Sequence, residues 1–251
     1  MNAASSVPVR DAVVLAAGNG DRFKNGSRQS KLLQPVLGQP LILRTLETAA
    51  DAGITTFHII VGYQADALRA VILDHAPRGT AVHLIYNPHW HLENGVSVLA
   101  AKDALRGRRF ALLMGDHVFE AAVLSRLLRM QVRADESILA IDGRPVTPDV
   151  AAEATKVRLD GDHITAIGKS LTKYDALDTG LFVCAPVLFS ALEIAQAGGD
   201  TTLSGGIREL AGRGLMRAAD VGSATWCDID TMADLAAAEQ LLVSQPEPEV
   251  V

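Results

Sequence analysis

The chain has 251 residues, 49% hydrophobic, 4% aromatic and 21% charged, and 23 Lys+Arg against 29 Asp+Glu give a formal charge of −6. That composition excludes a largely disordered chain, and the acidic balance argues against a broad nucleic-acid-binding surface while leaving room for a local basic pocket. Folded as one domain, a chain of this length removes roughly 70–75% of its extended-chain surface from water.

No stretch approaches the roughly 18 apolar residues of a membrane span, and the opening MNAASSVPVR has no apolar segment of a secretion signal. Cys184 and Cys227 lack CxxC spacing and sit in apolar contexts, as buried reduced thiols do. The expectation is a cytoplasmic protein without membrane insertion, with one domain over 1–245 and a frayed tail at 246–251.

Residues 12–17 are uncharged and β-branched near their start, the pattern of a strand buried on both faces. Gly18-Asn19-Gly20 follows, then Arg22 and Lys31. The glycines permit close approach of backbone amides to an anion, and the two cations add positive charge, which reads as a triphosphate cradle; a plain glycine turn is the alternative. From Gln39-Pro40 a helical pattern runs to Gly53. Residues 55–61 read as a second strand, 65–73 as a helix, and 81–86 as a third strand entering the loop Asn87-Pro88-His89-Trp90-His91. His89 and His91 lack the third ligand that a zinc site requires. Glu93-Asn94-Gly95 opens an alanine-rich helix expected to continue through Leu105.

The most apolar strand, 109–114, stops abruptly at Gly115-Asp116-His117. In open α/β sheets, ligands bind at that carboxyl edge. A helix through Met130 and a strand over 137–141 come next, and 142–152, with two prolines and no period, reads as a loop or lid. Strands at 155–159 and 163–167 are joined by Asp160-Gly161-Asp162, a hairpin signal that predicts a small antiparallel accessory sub-sheet within a region at about 142–185. A strand at 180–184, a helix from Pro186, a helix ending near Ala211 and a strand at 216–221 lead to Trp226-Cys227-Asp228-Ile229-Asp230. Thr231 and Asp234 form a capping box for the last helix, 232–243. Alternating strands and helices with one antiparallel interruption predict an α/β fold: a Rossmann-like mixed, mostly parallel sheet flanked by helices.

A glycine loop with Arg22 and Lys31, a strand-end carboxylate at Asp116 and a second acidic pair at Asp228 and Asp230 are the ingredients of metal-assisted nucleotidyl transfer. Mg²⁺ takes one or two carboxylates together with substrate phosphates. Taken singly, each aspartate also reads as a strand-end or helix cap. A phosphate monoester is largely dianionic at neutral pH, so as nucleophile it needs an anchor more than a base. Lys169 at a strand end and Lys156 are candidates for that anchor, although both also fit a solvated strand face. His117 reads as a residue orienting Asp116 or touching substrate.

These motifs resemble the sugar-phosphate nucleotidyltransferases, whose opening signature is LAAGxGxR followed by PKxLxPV. Here the signature reads Leu15-Ala16-Ala17-Gly18-Asn19-Gly20-Asp21-Arg22 and Ser30-Lys31-Leu32-Leu33-Gln34-Pro35-Val36, with Ser30 in place of the proline. Asn87-Pro88, Glu93-Asn94-Gly95-Val96-Ser97, Met114-Gly115-Asp116-His117-Val118, Glu153-Ala154-Thr155-Lys156-Val157, Ile167-Gly168-Lys169 and Asp178-Thr179-Gly180-Leu181-Phe182 are similar to the CTP:inositol-1-phosphate cytidylyltransferase branch. The likeness runs from about 12 to 240.

The resemblance implies CTP and a phosphorylated small-molecule acceptor as partners, Mg²⁺ as cofactor, no nucleic acid, and leaves room for a homodimer. It assigns Leu15 to Gly20, Asn87, Asn94, Gly95 and Ser97 to the nucleotide, Arg22 and Lys31 to the triphosphate, and Asp116 with Asp228, or Asp230, to the metal. Lys169 falls to the acceptor phosphate, with His117, Glu153, Lys156 and Asp178 near the acceptor. Members of this branch are often fused to a membrane CDP-alcohol phosphotransferase domain, which is not read in these 251 residues. A phosphocholine-specific site would call for an aromatic cage that this aromatic-poor chain does not offer. A dinucleotide fingerprint needs a third glycine and a later acidic residue, both missing here. A catalytically inactive nucleotide-binding regulator would keep the fold and lose turnover.

Overall fold

In the computed structural model, which describes residues 8–20, 23 and 29–243, the apolar runs of the sequence become strands of one large sheet. In chain order the strands are β1 (Asp11–Ala16), β2 (Pro35–Val36), β3 (Gln39–Pro40), β4 (Thr56–Val61), β5 (Ala81–Tyr86), β6 (Phe110–Met114), β7 (His117–Phe119), β8 (Ser137–Asp142), β9 (Lys156–Asp160), β10 (His163–Gly168), β11 (Ala176–Cys184), β12 (Met216–Asp220) and β13 (Trp226–Asp228). The helices are α1 (Leu41–Asp51), α2 (Ala65–His75), α3 (Asn94–Leu99), α4 (Lys102–Leu105), α5 (Ala121–Arg129), α6 (Pro148–Glu153), α7 (Val187–Ala197), α8 (Leu203–Gly212) and α9 (Met232–Val243).

Among the described residues the large sheet has nine strands in the order β5-β4-β1-β6-β11-β8-β12-β10-β9. Neighbours from β5 to β6 are parallel, as are β8 and β12, and the other neighbours are antiparallel. This is the mixed Rossmann-like α/β sheet that the alternating pattern predicts. The expected hairpin forms as β9 and β10 and continues the sheet at its far edge. Two short antiparallel pairs, β7 with β13 and β2 with β3, stand apart from it.

Alternation along each strand loads both faces of the sheet. Ala12, Val14 and Ala16 of β1, with Ala111 and Leu113 of β6, face one core with α1, α2, α5 and α9. Val13, Phe110 and Leu112 face the other with α3, α4, α7 and α8. β1 and β6 are parallel neighbours and end together, so the glycine loop and Gly115-Asp116 emerge side by side at one carboxyl edge. Gly115 is required there. A Cβ would meet the Leu15 carbonyl oxygen at 2.9 Å, the same oxygen that accepts a 2.9 Å hydrogen bond from Gly115 N.

Three local expectations change. The helix expected over 94–105 is two, α3 and α4, and Val98, Ala101 and Leu105 still join the same core. The expected loop at 142–152 contains α6, where Thr147 accepts from Val150 N as N-cap and Pro148 takes the first helical position. The strand expected at 180–184 begins at Ala176, and its register shifts between Asp178 and Phe182 around Gly180, whose φ is +74°. No helix of the described residues is long and apolar enough to cross a membrane.

Leu113 is fully buried at the middle of β6. Leu113→Ala is expected to destabilise the fold by about 2–5 kcal/mol, measured as a lowered urea midpoint.

Candidate active site

A cleft of about 820 Å³ opens at the carboxyl edge, lined by the backbone and side chains from Leu15 to Gly20, by Lys31, Trp90, Asn94 and Ser97, and by Asp116 and Asp230 at its floor. The glycine loop shapes it from one side. Gly20 has φ +64°, and an added Cβ would press at 3.2 Å on the Lys31 stem, so the loop lies directly on that side chain. Lys31 itself starts a short 3₁₀ turn, Lys31–Leu33, anchored by buried Leu32 and Leu33 and capped by Ser30, whose hydroxyl accepts from Leu32 N at 3.3 Å. The serine that departs from the family signature thus supplies the cap. Arg22 lies outside the described residues.

Lys31 Nζ donates to Asp116 Oδ2 at 2.7 Å, Asp230 Oδ1 at 2.9 Å and the Ile229 carbonyl at 2.9 Å. Burial opposes its charge, but Asp116 and then Asp230 outweigh burial and hold the ammonium above its ordinary pKa. Burial likewise opposes ionisation of Asp116. The His117 hydrogen bond and charge, joined by those of Lys31, still hold its carboxyl well below the usual carboxylate range. His117 Nδ1 lies 2.9 Å from Asp116 Oδ1, and against the effect of burial Asp116 draws the imidazole pKa upward, with Asp228 and Asp178 adding to it. The floor is therefore an ionised carboxylate held between the Lys31 ammonium and the His117 imidazole.

Asp228 is exposed and sits opposite His117 in the β7–β13 ladder. It is Asp230 that shares Lys31 with Asp116. The donors are carboxylate oxygens, the chemistry Mg²⁺ prefers, and the Lys31 ammonium shows that the floor accepts a positive charge. Among the described residues no three His, Cys, Asp or Glu side chains group to hold a metal by themselves. A cation at this floor would therefore complete its shell with substrate phosphates and water.

Not every residue assigned to the nucleotide reaches the cleft. Asn87 is 2% exposed, donates to Ser97 Oγ at 3.0 Å and accepts from His89 N at 2.9 Å, so it braces the loop that carries Trp90. Asn94 lines the cleft and accepts from Leu203 N at 2.9 Å. Gly95 is a packing position, since a Cβ would fall 2.6 Å from the Thr201 carbonyl oxygen. Trp90 lies at the wall, packed over Gly62 and tilted against Tyr63, and was not singled out by sequence reasoning. An aromatic in an N-P loop at the carboxyl end of a strand was the available signal.

On the acceptor side the assigned residues come together only in part. Lys169 is exposed just beyond β10, and Glu153 is exposed at the end of α6. Lys156, 7% exposed, donates to the Lys169 carbonyl at 2.6 Å with its ammonium 5.9 Å from the Tyr174 ring, so it fixes the turn that presents Lys169. Asp178 faces His117. An added Cβ on Gly180 would come within 2.8 Å of His117 Nε2, which leaves glycine as the residue that fits the bulge. Trp226, also unforeseen, stacks on His117 at 6.4 Å and donates to Asp142 Oδ2 at 2.8 Å. Its two-residue offset from Asp228 was the only sequence clue.

A glycine loop at the end of a parallel strand, a lysine folded beneath it and a carboxylate at the neighbouring strand end line one cleft. Residues 12–197 match the MobA-like NTP transferase domain, and the chain belongs to that family. The bifunctional IPC transferase and DIPP synthase of Rubrobacter xylanophilus is 35% identical over 235 residues, 92% of this chain and 52% of the relative. Its namesake in Aquifex aeolicus is 33% identical over 244 residues, 94% of this chain and 52% of the relative. The chain thus spans about half the length of these curated relatives. Among solved structures, the inositol-1-phosphate CTP transferase from T. maritima superimposes with a TM-score of 0.82 at 25% identity, over 94% of this chain and 96% of that one. A UDP-glucose pyrophosphorylase complexed with UDP-glucose shares the fold with a TM-score of 0.77 at 17% identity, over 95% of this chain and 100% of that one.

Burial pushes the Asp178 carboxyl up to about 6, against a 2.8 Å hydrogen bond from Gly180 N and the charge of His117. The folded state keeps this proton up to about pH 6 while the unfolded chain releases it near 3.8, so Asp178 opposes folding increasingly as pH rises through that window. Asp178→Asn is expected to be more stable than the unsubstituted chain at neutral pH, on the order of 1–3 kcal/mol, with the difference vanishing towards pH 4. Urea midpoints of the two chains across that range check it.

Proposed function

We propose that this protein condenses CTP with inositol 1-phosphate, or a related cyclitol or alcohol phosphate, to give a CDP-alcohol and pyrophosphate. The observation that carries the reading is the Lys31–Asp116 pair, 2.7 Å apart, at the floor of a cleft walled by the glycine loop. The names of the relatives supply the substrate class. An acceptor phosphate oxygen attacks the α-phosphorus in line, the bond from that phosphorus to the bridging oxygen breaks, and pyrophosphate leaves with the electron pair. The acceptor phosphate, largely dianionic at neutral pH, needs no strong base, and the chain's task is to hold two anions together.

In this reading the Leu15–Gly20 backbone and Asn94 line the nucleotide, with Trp90 offering a face to the base. Arg22 and Lys31 meet the triphosphate, and Lys169, held by Lys156, takes the acceptor phosphate. His117, Glu153 and Asp178 lie towards the acceptor ring, in the region at about 142–185. Asp116 with Asp228 or Asp230 would hold Mg²⁺, which when bound neutralises charge on the phosphates. The imidazole of His117 keeps the Asp116 carboxylate ionised and oriented.

Pyrophosphate release from CTP with inositol 1-phosphate is the direct measurement; turnover confined to hexose 1-phosphates with UTP or dTTP would overturn the base and acceptor assignment. Asp116→Ala is expected to lower kcat/KM by about 10³-fold or more, the scale of losing a charge-stabilising group, while the far-ultraviolet circular dichroism stays that of the folded chain. Lys169→Ala is expected to raise the acceptor KM about tenfold or more, on the scale of a charge-assisted hydrogen bond, and to leave the CTP KM nearly unchanged.

A further inference from the structure

Two carboxylates, Asp228 and Asp230, lie on one short segment; Asp230 lines the cleft, Asp228 is exposed, and the geometry separates their tasks. An ammonium has three protons. Those of Lys31 already have three protein acceptors, Asp116 Oδ2 at 2.7 Å, Asp230 Oδ1 at 2.9 Å and the Ile229 carbonyl at 2.9 Å. To donate to a phosphate oxygen, Lys31 must exchange one of them.

Two of the three are fixed by the fold. Ile229 is fully buried, and its N–H donates to the Asp116 carbonyl at 3.1 Å. The Asp230 backbone is tied to the start of α9: Asp234 Oδ2 accepts from Asp230 N at 3.1 Å, from Thr231 N at 2.7 Å and from Thr231 Oγ1 at 2.8 Å. Asp116 is the acceptor with a second interest, because it is the strand-end carboxylate of the cleft and the common member of every cation arrangement the site permits. Asp228 lies across from His117 in the β7–β13 ladder and is not among the three acceptors of the ammonium.

We propose that Asp230 is a positioning residue for Lys31 and not a ligand of the divalent cation: with the Ile229 carbonyl it holds the ammonium at the cleft floor while Asp116 passes from the lysine to the cation. Lys31 then keeps two anchors and turns its third proton to the triphosphate. This inference rests on the nucleotidyl-transfer reading, and it separates Asp230 from Asp228 where that reading leaves them equivalent.

The test has one arm without turnover and one with it. Mn²⁺ affinity of the chain alone, followed by electron paramagnetic resonance, is expected to change less than about threefold in Asp230→Ala and to fall at least about tenfold in Asp116→Asn, as loss of a true ligand requires. In the second arm, Asp230→Ala is expected to lower kcat about 10- to 100-fold in the Lys31 background, the scale of a misplaced catalytic group, and less than about threefold further in a Lys31→Met background. Asp230→Asn, which keeps an oxygen acceptor, should recover part of the loss; a merely structural role would show neither the dependence on Lys31 nor this partial recovery. A drop in Mn²⁺ affinity matching that of Asp116→Asn, or additive effects in the two backgrounds, would overturn the proposal. If the unsubstituted chain turns over no nucleotide, the function reading fails, and the Mn²⁺ arm still decides the role of Asp230.

Discussion

One ammonium group ties the two ends of this chain together. Lys31 Nζ, with a side chain only 10% exposed, is held by Asp116 from the middle of the sequence and by Asp230, 199 residues away. A buried lysine without partners would cost several kcal/mol of desolvation. The arrangement therefore requires β6 to end just before Asp116, the segment after β13 to return to the same edge, and the glycine loop to lie over the lysine stem. Each requirement is met by a specific device: Gly115 against the Leu15 carbonyl, the capping box at Thr231 and Asp234, and the left-handed Gly20. The fold can be read as the framework that brings these devices together.

Much of this was legible because it is local. Strands buried on both faces announce themselves as uncharged apolar runs, and the glycine loop, Lys31 and Asp116 each adjoin such a run. What stayed hidden depends on pairings between distant short segments. The strands β7 and β13 have three residues each, too few for a period, and only their pairing brings Trp226 and Asp228 to His117. The helix α6 was concealed by its own proline, which reads as a breaker until Thr147 is recognised as its cap. The start of β11 was concealed by the bulge at Gly180. The resemblance assigns Asn87 to the nucleotide, and its burial, bonded to Ser97 and His89, is a tertiary fact. Acidic pairs such as Asp228 and Asp230 pose a sharper difficulty: their spacing alone does not say which one turns towards a given partner.

The two halves of the sheet treat positive charge in opposite ways. On the glycine-loop side the lysine is buried and its three protons have protein acceptors. On the far side Lys156 is the buried one, and its ammonium serves the backbone of the turn after β10 through the Lys169 carbonyl. Lys169 remains exposed on that stiffened turn. Burying one lysine to present another is costly unless the buried group is fully hydrogen-bonded, so the turn must gain a fixed position from it. In the proposed reaction that division is what two anions of unequal charge require: a rigid, pre-paired cation for the triphosphate, and an accessible one on a rigid support for the acceptor that must enter, react and leave. In that reading Asp116 follows β6 and Lys169 follows β10, and β11 links those ends of one continuous sheet by pairing with β6, β8 and β9, so strand spacing sets the distance between the two groups.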